Sequence, residues 1–296
     1  MLIPCKDIAL ELEKRLKIEV SQLKANSIIP KLVTILIGTA PDQLSFVKIK
    51  SLVAQKIGVE FELVHIEKVP AYRDFLKIVS KKASDVETSG IIIQRPMPEN
   101  FLTDEVYDLI PKIKEIESFR HDSTFHFPLS LAVLTGFKYC ILKNNHNKDA
   151  INKSIVDFEN DKKLFFEFLK DKQIIIAGKG ITGGKPIAKT LKEIGVAYKV
   201  ADSKTENADK LYQDSDIIIT ATGKNILNRL NIKKGVMLLN VGLRKENDKL
   251  KGDYDEENVS ELASFYTKTP GGLGPLDVLY LFKNVIETAK SQANLV

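Results

Sequence analysis

The apolar positions of this chain fall into two series in which helix-spaced and strand-spaced segments alternate. Ile8, Leu12, Leu16, Val20 and Leu23 recur at three- and four-residue steps and predict an amphipathic helix over 7–24. After Pro30, the run Leu32-Val33-Thr34-Ile35-Leu36-Ile37 predicts a buried strand ended by Gly38. A helix over 43–57 follows, closed by Gly58, then a strand at 59–66 and a helix at 72–82. Gly90 to Gln94 reads as a third strand, stopped by Pro96 and Pro98. Between roughly 120 and 160 the periodicity fails around Asn144-Asn145-His146-Asn147, so this stretch reads as a linker or insertion. A helix at 160–170 opens a second series, with strands at 173–177, 197–201, 216–220 and 236–241 and a final amphipathic helix over 276–289. Such alternation predicts an α/β chain built on parallel, doubly wound sheets.

Composition narrows the class. A length of 296 residues fits two domains at ~150 residues each. With 44% hydrophobic and 28% charged residues, the chain can bury a real core and is neither disordered nor a small disulfide scaffold. Cys5 and Cys140 are far apart with no second thiol nearby, so neither a zinc site nor a redox pair is expected. The net charge of +5 comes mostly from scattered Lys, without the basic stripe and interleaved aromatics of a nucleic-acid binder. The longest uncharged apolar-rich stretch, Phe125 to Phe137, contains Pro128 and falls short of the ~20 residues a membrane span needs. Met1 to Leu10 lacks the apolar run of a signal peptide, and a cytoplasmic protein is expected. His65, His121, His126 and His146 show no ligand spacing with carboxylates or thiols, so no metal site is expected.

Gln173 to Gly184 reads as a strand entering G-x-G-x-x-G (Gly178, Gly180, Gly183) and then a helix. Glycines there permit the tight turn and bring backbone N–H groups and a helix N-terminus up to a pyrophosphate. Asp202, 19 residues past Gly183 at the end of the next strand, is where an acidic side chain meets a ribose 2′-hydroxyl. Thr220-Ala-Thr222-Gly223 and Asn240-Val-Gly242-Leu243 end two further strands on the same expected ligand edge. Asp202 favours NAD, whereas Lys179, Ser203 and Lys204 are placed to hold a 2′-phosphate, so NAD against NADP stays open.

On a helical wheel of 43–57 the apolar arc centres on Phe46, Val47, Ile49, Val53, Ala54 and Ile57, and Lys50 falls inside it. An ammonium in such a place is costly unless paired, and desolvation favours its neutral, proton-accepting form. The alternative is a snorkelling side chain with its head in water. Gln94 puts a second polar group at the carboxyl end of a strand. Thr269-Pro-Gly-Gly-Leu-Gly-Pro275 fixes an exposed backbone that neither a core nor a helix needs.

Four motifs in order make the chain similar to the bifunctional methylenetetrahydrofolate dehydrogenase/methenyltetrahydrofolate cyclohydrolase family. Phe46-Val-Lys-Ile-Lys50 resembles its Tyr-x-x-x-Lys segment, and Gly90-Ile-Ile-Ile-Gln94-Arg-Pro-Met-Pro98 its Gly-x-x-x-Gln-x-Pro-x-Pro strand. Gly178-Lys-Gly-Ile-Thr-Gly-Gly-Lys-Pro186 resembles its Gly-Arg-Ser-x-x-Val-Gly-x-Pro turn, and Pro270-Gly-Gly-Leu-Gly-Pro275 its Pro-Gly-Gly-Val-Gly-Pro loop. The resemblance implies two α/β domains over a cleft, the second a Rossmann-like doubly wound parallel sheet, usually in a homodimer. It places a folate-binding catalytic domain at 1–157, with helix 276–296 free to pack back onto it, and an NAD(P)-binding domain at 158–275. The implied reaction is NAD- or NADP-dependent oxidation of 5,10-methylenetetrahydrofolate, followed by hydrolysis of the methenyl product to 10-formyltetrahydrofolate.

On the matching positions, the resemblance makes Lys50 the catalytic lysine and Gln94 its hydrogen-bonding holder. Phe46, Glu117, Pro270, Gly271, Gly272, Gly274, Pro275 and Asp277 would meet the folate. Gly178, Lys179, Gly180, Gly183, Asp202, Ser203, Thr222, Gly223, Gly242 and Leu243 would meet the cofactor. The chain departs from the family at several points. Phe46 replaces a tyrosine, Lys114-Glu-Ile-Glu117-Ser118 replaces Lys-Asp-Val-Asp-Gly, Gly180 replaces a serine and Asp277 a threonine. The Pro-x-Thr-Pro segment that opens the helix before the second domain is absent, with an apparent insertion near 135–158. Two other readings stand beside this one. A diverged homologue could bind folate or nucleotide without turnover, although a pure binding module has no need of a costly Lys50. A dehydrogenase laid out like shikimate dehydrogenase would need a Gly-Ala-Gly-Gly turn, which the chain lacks.

Overall fold

The computed structural model describes residues 1–101 and 103–294. Its contacts divide the chain into two compact units, Leu12–His126 with the chain from Val278 on, and Met1–Glu11 with Phe127–Asp277. Helix α1 (Cys5–Ala25) begins in one unit and ends in the other.

The first unit is built on a three-stranded parallel sheet, β1 (Lys31–Ile37), β2 (Glu60–Ile66) and β3 (Gly90–Ile93), in the order β2-β1-β3. Helices α2 (Pro41–Ile57) and α3 (Tyr72–Ser84) make the crossovers, and α4 (Asp104–Asp108) follows β3. β1 and β3 are buried along almost their whole length, whereas β2 alternates between half-buried and exposed, the pattern of an edge strand. Val33, Ile35, Ile91 and Ile93 pack against Phe75, Val79, Phe101 and Val106 as one core. The last helix of the chain belongs partly to this unit. Asn284 donates to the Ile116 carbonyl at 2.8 Å, Thr288 donates to that of Ile113, and Lys290 pairs with Glu19.

The stretch expected as a linker is largely helical: α5 (Pro128–Asn144), α6 (Ala150–Lys153) and α7 (Phe158–Leu169). In the 17-residue α5, twelve residues are buried and face in every direction, so no amphipathic period exists to be read. Pro128 occupies the first turn, where its missing N–H costs nothing, and Phe127 at the cap position supplies no side-chain acceptor. A proline thus opens this helix, with no hydroxyl side chain before it. Gly136 lets α5 approach the sheet behind it, since an added Cβ would lie 3.0 Å from Leu239.

The second unit continues with β4 (Ile174–Ala177), α8 (Gly184–Ile194), β5 (Lys199–Ala201), α9 (Ala208–Asp214), β6 (Ile217–Thr220), β7 (Met237–Asn240), the hairpin β8 (Arg244–Glu246) and β9 (Lys249–Lys251), α10 (Glu256–Val259) and β10 (Phe265–Tyr266). Its five-stranded parallel sheet runs β10-β7-β6-β4-β5. Strand order reverses beside β4, and ligands of such sheets bind outside the carboxyl ends of the strands at that point. The final helix α11 (Leu273–Ala293) starts three residues earlier than its apolar period indicates. Gly274 and Pro275 therefore lie in its first turn, where proline is tolerated because those N–H groups have no helical acceptor. Among the described residues no helix is long and apolar enough to cross a membrane.

Phe137 is 0% exposed, so Phe137→Ala should cost about 3–5 kcal/mol in urea unfolding. A loss below about 0.5 kcal/mol would mean that α5 is the passive linker its sequence suggests.

Candidate functional site

The first unit places Lys50 and Gln94 together. Gln43, Val47, Lys50, Ala54 and Ile57 follow one another at four- and three-residue steps along α2, and all but Lys50 are fully buried. Lys50 thus occupies an inward position of the stripe that seats the helix and is itself half-buried. The rest of the expected apolar arc differs. Phe46 is 42% and Ile49 47% exposed, because α2 seats through this narrow stripe and leaves its apolar flank outside. Gln94 leaves β3 at its carboxyl end, with its backbone N–H donating to the Ile35 carbonyl at 2.9 Å. Its side chain is nearly fully buried.

Lys50 Nζ donates to Gln94 Oε1 at 2.7 Å, and Gln94 Nε2 donates to the Arg95 carbonyl at 2.9 Å. The amide is thereby held with its oxygen toward the lysine. Gln43 Nε2 donates to the carbonyl of Pro96, tying the start of α2 to the same segment. Arg95 lies over the Phe119 ring at 4.1 Å and donates to Tyr107 Oη at 2.7 Å, which anchors the chain beyond Gln94.

Glu117 is half-buried on a tight turn after β3. The turn is built on Glu115, whose carboxylate accepts the backbone N–H groups of Glu117 at 3.1 Å and Arg120 at 3.2 Å. Burial pushes the Glu115 carboxyl above its ordinary range, and these N–H groups oppose the shift. Ser118 has φ +68°, a left-handed conformation that a glycine would adopt without cost.

In the second unit the fingerprint lies at the carboxyl edge of the sheet. Gly178 (φ +108°) follows β4, and an added Cβ there would overlap the Ala221 carbonyl. Gly183 sits in the cap position of α8, and a Cβ on it would come within 3.1 Å of Ala221 Cβ. The tightest approach falls one residue later, where a Cβ on Gly184 would overlap the Gly178 carbonyl. A Cβ on Gly180 would meet nothing within 4 Å, so that position faces open space above the turn. Asp202 follows β5 beside Gly178, and Lys179 pairs with its carboxylate. Ser203 is exposed. A turn that excludes side chains, an open position above it and a carboxylate on the neighbouring strand fit a dinucleotide.

Thr222, Gly223, Gly242 and Leu243 lie on the same edge, and a buried polar cluster orders their loops. Asn240 Oδ1 accepts from Thr220 Oγ1 and from the Asp253 N–H, both at 2.8 Å. Asn240 Nδ2 donates to the Gly242 carbonyl and to Thr269 Oγ1, again at 2.8 Å. Asp253 Oδ2 accepts the Thr222 N–H at 2.7 Å, and burial raises this carboxyl above its usual range. A Cβ on Gly242 would overlap the same carboxylate. Pro270, Gly271, Gly272, Gly274 and Pro275 follow Thr269, and Asp277 is half-buried in the first turns of α11. Gly271 has φ +87°, and a Cβ on Gly272 would overlap the Lys268 carbonyl. Asp253, and the role of Asn240 beyond ending its strand, leave no mark in the sequence, because a single buried polar residue carries no periodic signal.

Fold and fingerprint define a dinucleotide-binding α/β protein with a second α/β unit that carries a paired lysine. The model of the tetrahydrofolate dehydrogenase/cyclohydrolase catalytic domain matches residues 3–117, and that of the family's NAD(P)-binding domain matches 161–293. The chain is 30% identical over 288 residues to the bifunctional protein FolD of Lactobacillus acidophilus, covering 97% of this chain and 96% of that one. It is 29% identical to FolD of Acetivibrio thermocellus, covering 98% and 97%. A crystal structure of the bifunctional methylenetetrahydrofolate dehydrogenase/cyclohydrolase FolD of Campylobacter jejuni superposes with TM-score 0.83 at 25% identity, covering 98% and 99%. The chain belongs to the tetrahydrofolate dehydrogenase/cyclohydrolase family.

Gly180→Ala should leave the thermal midpoint unchanged, whereas Gly184→Ala should lose at least about 2 kcal/mol. Equal stability of the two variants would contradict the packing described for this turn.

Proposed function

We propose that this chain oxidises 5,10-methylenetetrahydrofolate to the 5,10-methenyl form with a nicotinamide cofactor and then hydrolyses that product to 10-formyltetrahydrofolate. The observation that carries the reading is the 2.7 Å hydrogen bond from Lys50 to Gln94, made by the two side chains of the family's motifs. The cofactor, when bound, accepts the hydride that leaves the methylene carbon.

Gln94 accepts one Lys50 N–H and leaves the other hydrogen-bonding positions of Nζ for the one-carbon unit. A neutral amide orients the lysine without competing for its proton, which a carboxylate in the same place would do. In the hydrolytic step, water adds to the methenyl carbon and gives up a proton. As the added hydroxyl loses its own proton and becomes the formyl carbonyl, the bond from that carbon to N5 breaks and N5 takes a proton, so one proton is released overall. Lys50 Nζ is the group assigned to accept the first proton and to supply the one that N5 takes.

Phe46 lies one helical turn before Lys50 with its ring exposed and would stack on the pterin. Glu117 would accept from the pterin N–H donors, and the 270–275 loop with Asp277 would border the folate. Gly178, Lys179, Gly180 and Gly183 would hold the pyrophosphate, Asp202 and Ser203 the adenosine ribose, and Thr222, Gly223, Gly242 and Leu243 the rest of the cofactor. A homodimer and a cytoplasmic location belong to the same proposal.

Absorbance assays with 5,10-methylenetetrahydrofolate should show reduced nicotinamide forming with NAD or NADP, and methenyl product decaying faster than it does without protein. Lys50→Ala should slow hydrolysis by ~100- to ~10,000-fold, and Gln94→Ala should lower kcat more than it raises KM. No reduction with either cofactor, from folded protein, would overturn the reading.

A further inference from the structure

Residues that could favour NAD and residues that could favour NADP stand side by side at the end of β5, and their geometry separates them. Ala201 pairs with Ala177 across the sheet, and the Gly178 N–H donates to the Ala201 carbonyl at 2.7 Å. Asp202 therefore leaves its strand directly beside the glycine turn. Its carboxylate is held in a local turn: Oδ1 accepts the Lys204 N–H at 2.8 Å and the Thr205 hydroxyl at 3.2 Å. The Asp202 N–H donates to Thr205 Oγ1 at 2.9 Å. The second oxygen, Oδ2, pairs with Lys179 Nζ, a side chain that is mostly exposed.

We infer that Asp202 makes this chain select NAD over NADP, presenting Oδ2 to the adenosine ribose and turning a 2′-phosphate away. The inference rests on the dehydrogenase reading above and goes beyond it by choosing between the two cofactors. An acceptor-only carboxylate takes a hydrogen bond from a ribose hydroxyl, whereas a phosphate ester there offers only further negative charge. Lys179 does not reverse this, because its charge is already matched by Asp202. A phosphate would have to draw it away and leave the carboxylate unpaired beside a dianion. The same partners keep Asp202 ionised, with its carboxyl held down at about 2 by Lys179 first and then the Lys204 N–H. Ser203 and Lys204 are exposed, and the Lys204 N–H helps to orient Asp202.

The test is direct binding of the reduced cofactors to the full chain without folate, read from nicotinamide fluorescence and from the shift each gives to the thermal midpoint. The wild-type chain should bind NADH at least ~10-fold more tightly than NADPH. Asp202→Asn keeps the shape of the side chain and removes its charge, so the preference should narrow by ~10-fold or invert. Circular dichroism of that variant, checked for an unchanged midpoint, separates a binding effect from unfolding. Equal or tighter binding of NADPH to the wild type would overturn the inference and leave the dehydrogenase reading intact. An unchanged preference in Asp202→Asn would show that Asp202 is not its source. Binding of neither dinucleotide would overturn the dehydrogenase reading, and this inference with it.

Discussion

A lysine on the inward side of a helix must be given an acceptor, and in this chain that acceptor is Gln94. Where α2 seats against the first unit, the stripe Gln43, Val47, Ala54 and Ile57 is apolar or hydrogen-bonded, and Lys50 alone brings a charge into it. Without the Gln94 oxygen at 2.7 Å, the half-buried ammonium would lose its protein acceptor on the inward side of the helix. The surroundings are built to keep that oxygen in place. β1 takes the Gln94 N–H, the Arg95 carbonyl takes its amide, and Arg95 is held in turn by Phe119 and Tyr107. A structural salt bridge would need none of this apparatus. A neutral amide held from three sides instead fixes the direction of the lysine without neutralising it.

The second unit solves a related problem at the carboxyl ends of its strands. Five parallel strands end in loops that must stay apart and open, yet each loop carries backbone groups that need partners. Asn240 and Asp253 supply them from below. Between them they engage Thr220, the Thr222 N–H, the Gly242 carbonyl and Thr269. One cluster thus sets the loops at 220–223 and 240–243 and the start of the 270–275 segment together. The glycines follow from the same crowding. Gly178, Gly184 and Gly242 have no room for a Cβ, while Gly180 has room and faces outward.

Much of this was legible in the residues. The strands of both sheets carry dense β-branched runs, and the glycine and proline motifs mark sharp turns whose chemistry is local. Lys50 was visible because it interrupts an apolar pattern, and Gln94 because it follows a buried strand. Three features were not legible, each for a physical reason. Helix α5 is buried on every side and has no polar face to set a period. The flank of α2 that carries Phe46 and Ile49 is apolar but exposed, so the wheel put the centre of burial too far round. Asp253 takes its role from partners 13 and 31 residues away, a relation that no local pattern records.

The central claim, that Lys50 and Gln94 act as one unit, is tested most directly by a double-mutant cycle on kcat/KM for methenyl hydrolysis. If Gln94 works only through the lysine, Lys50→Ala combined with Gln94→Ala should be no slower than Lys50→Ala alone. Losses that multiply in the double variant would contradict the account, because they would show each side chain acting on the substrate by itself.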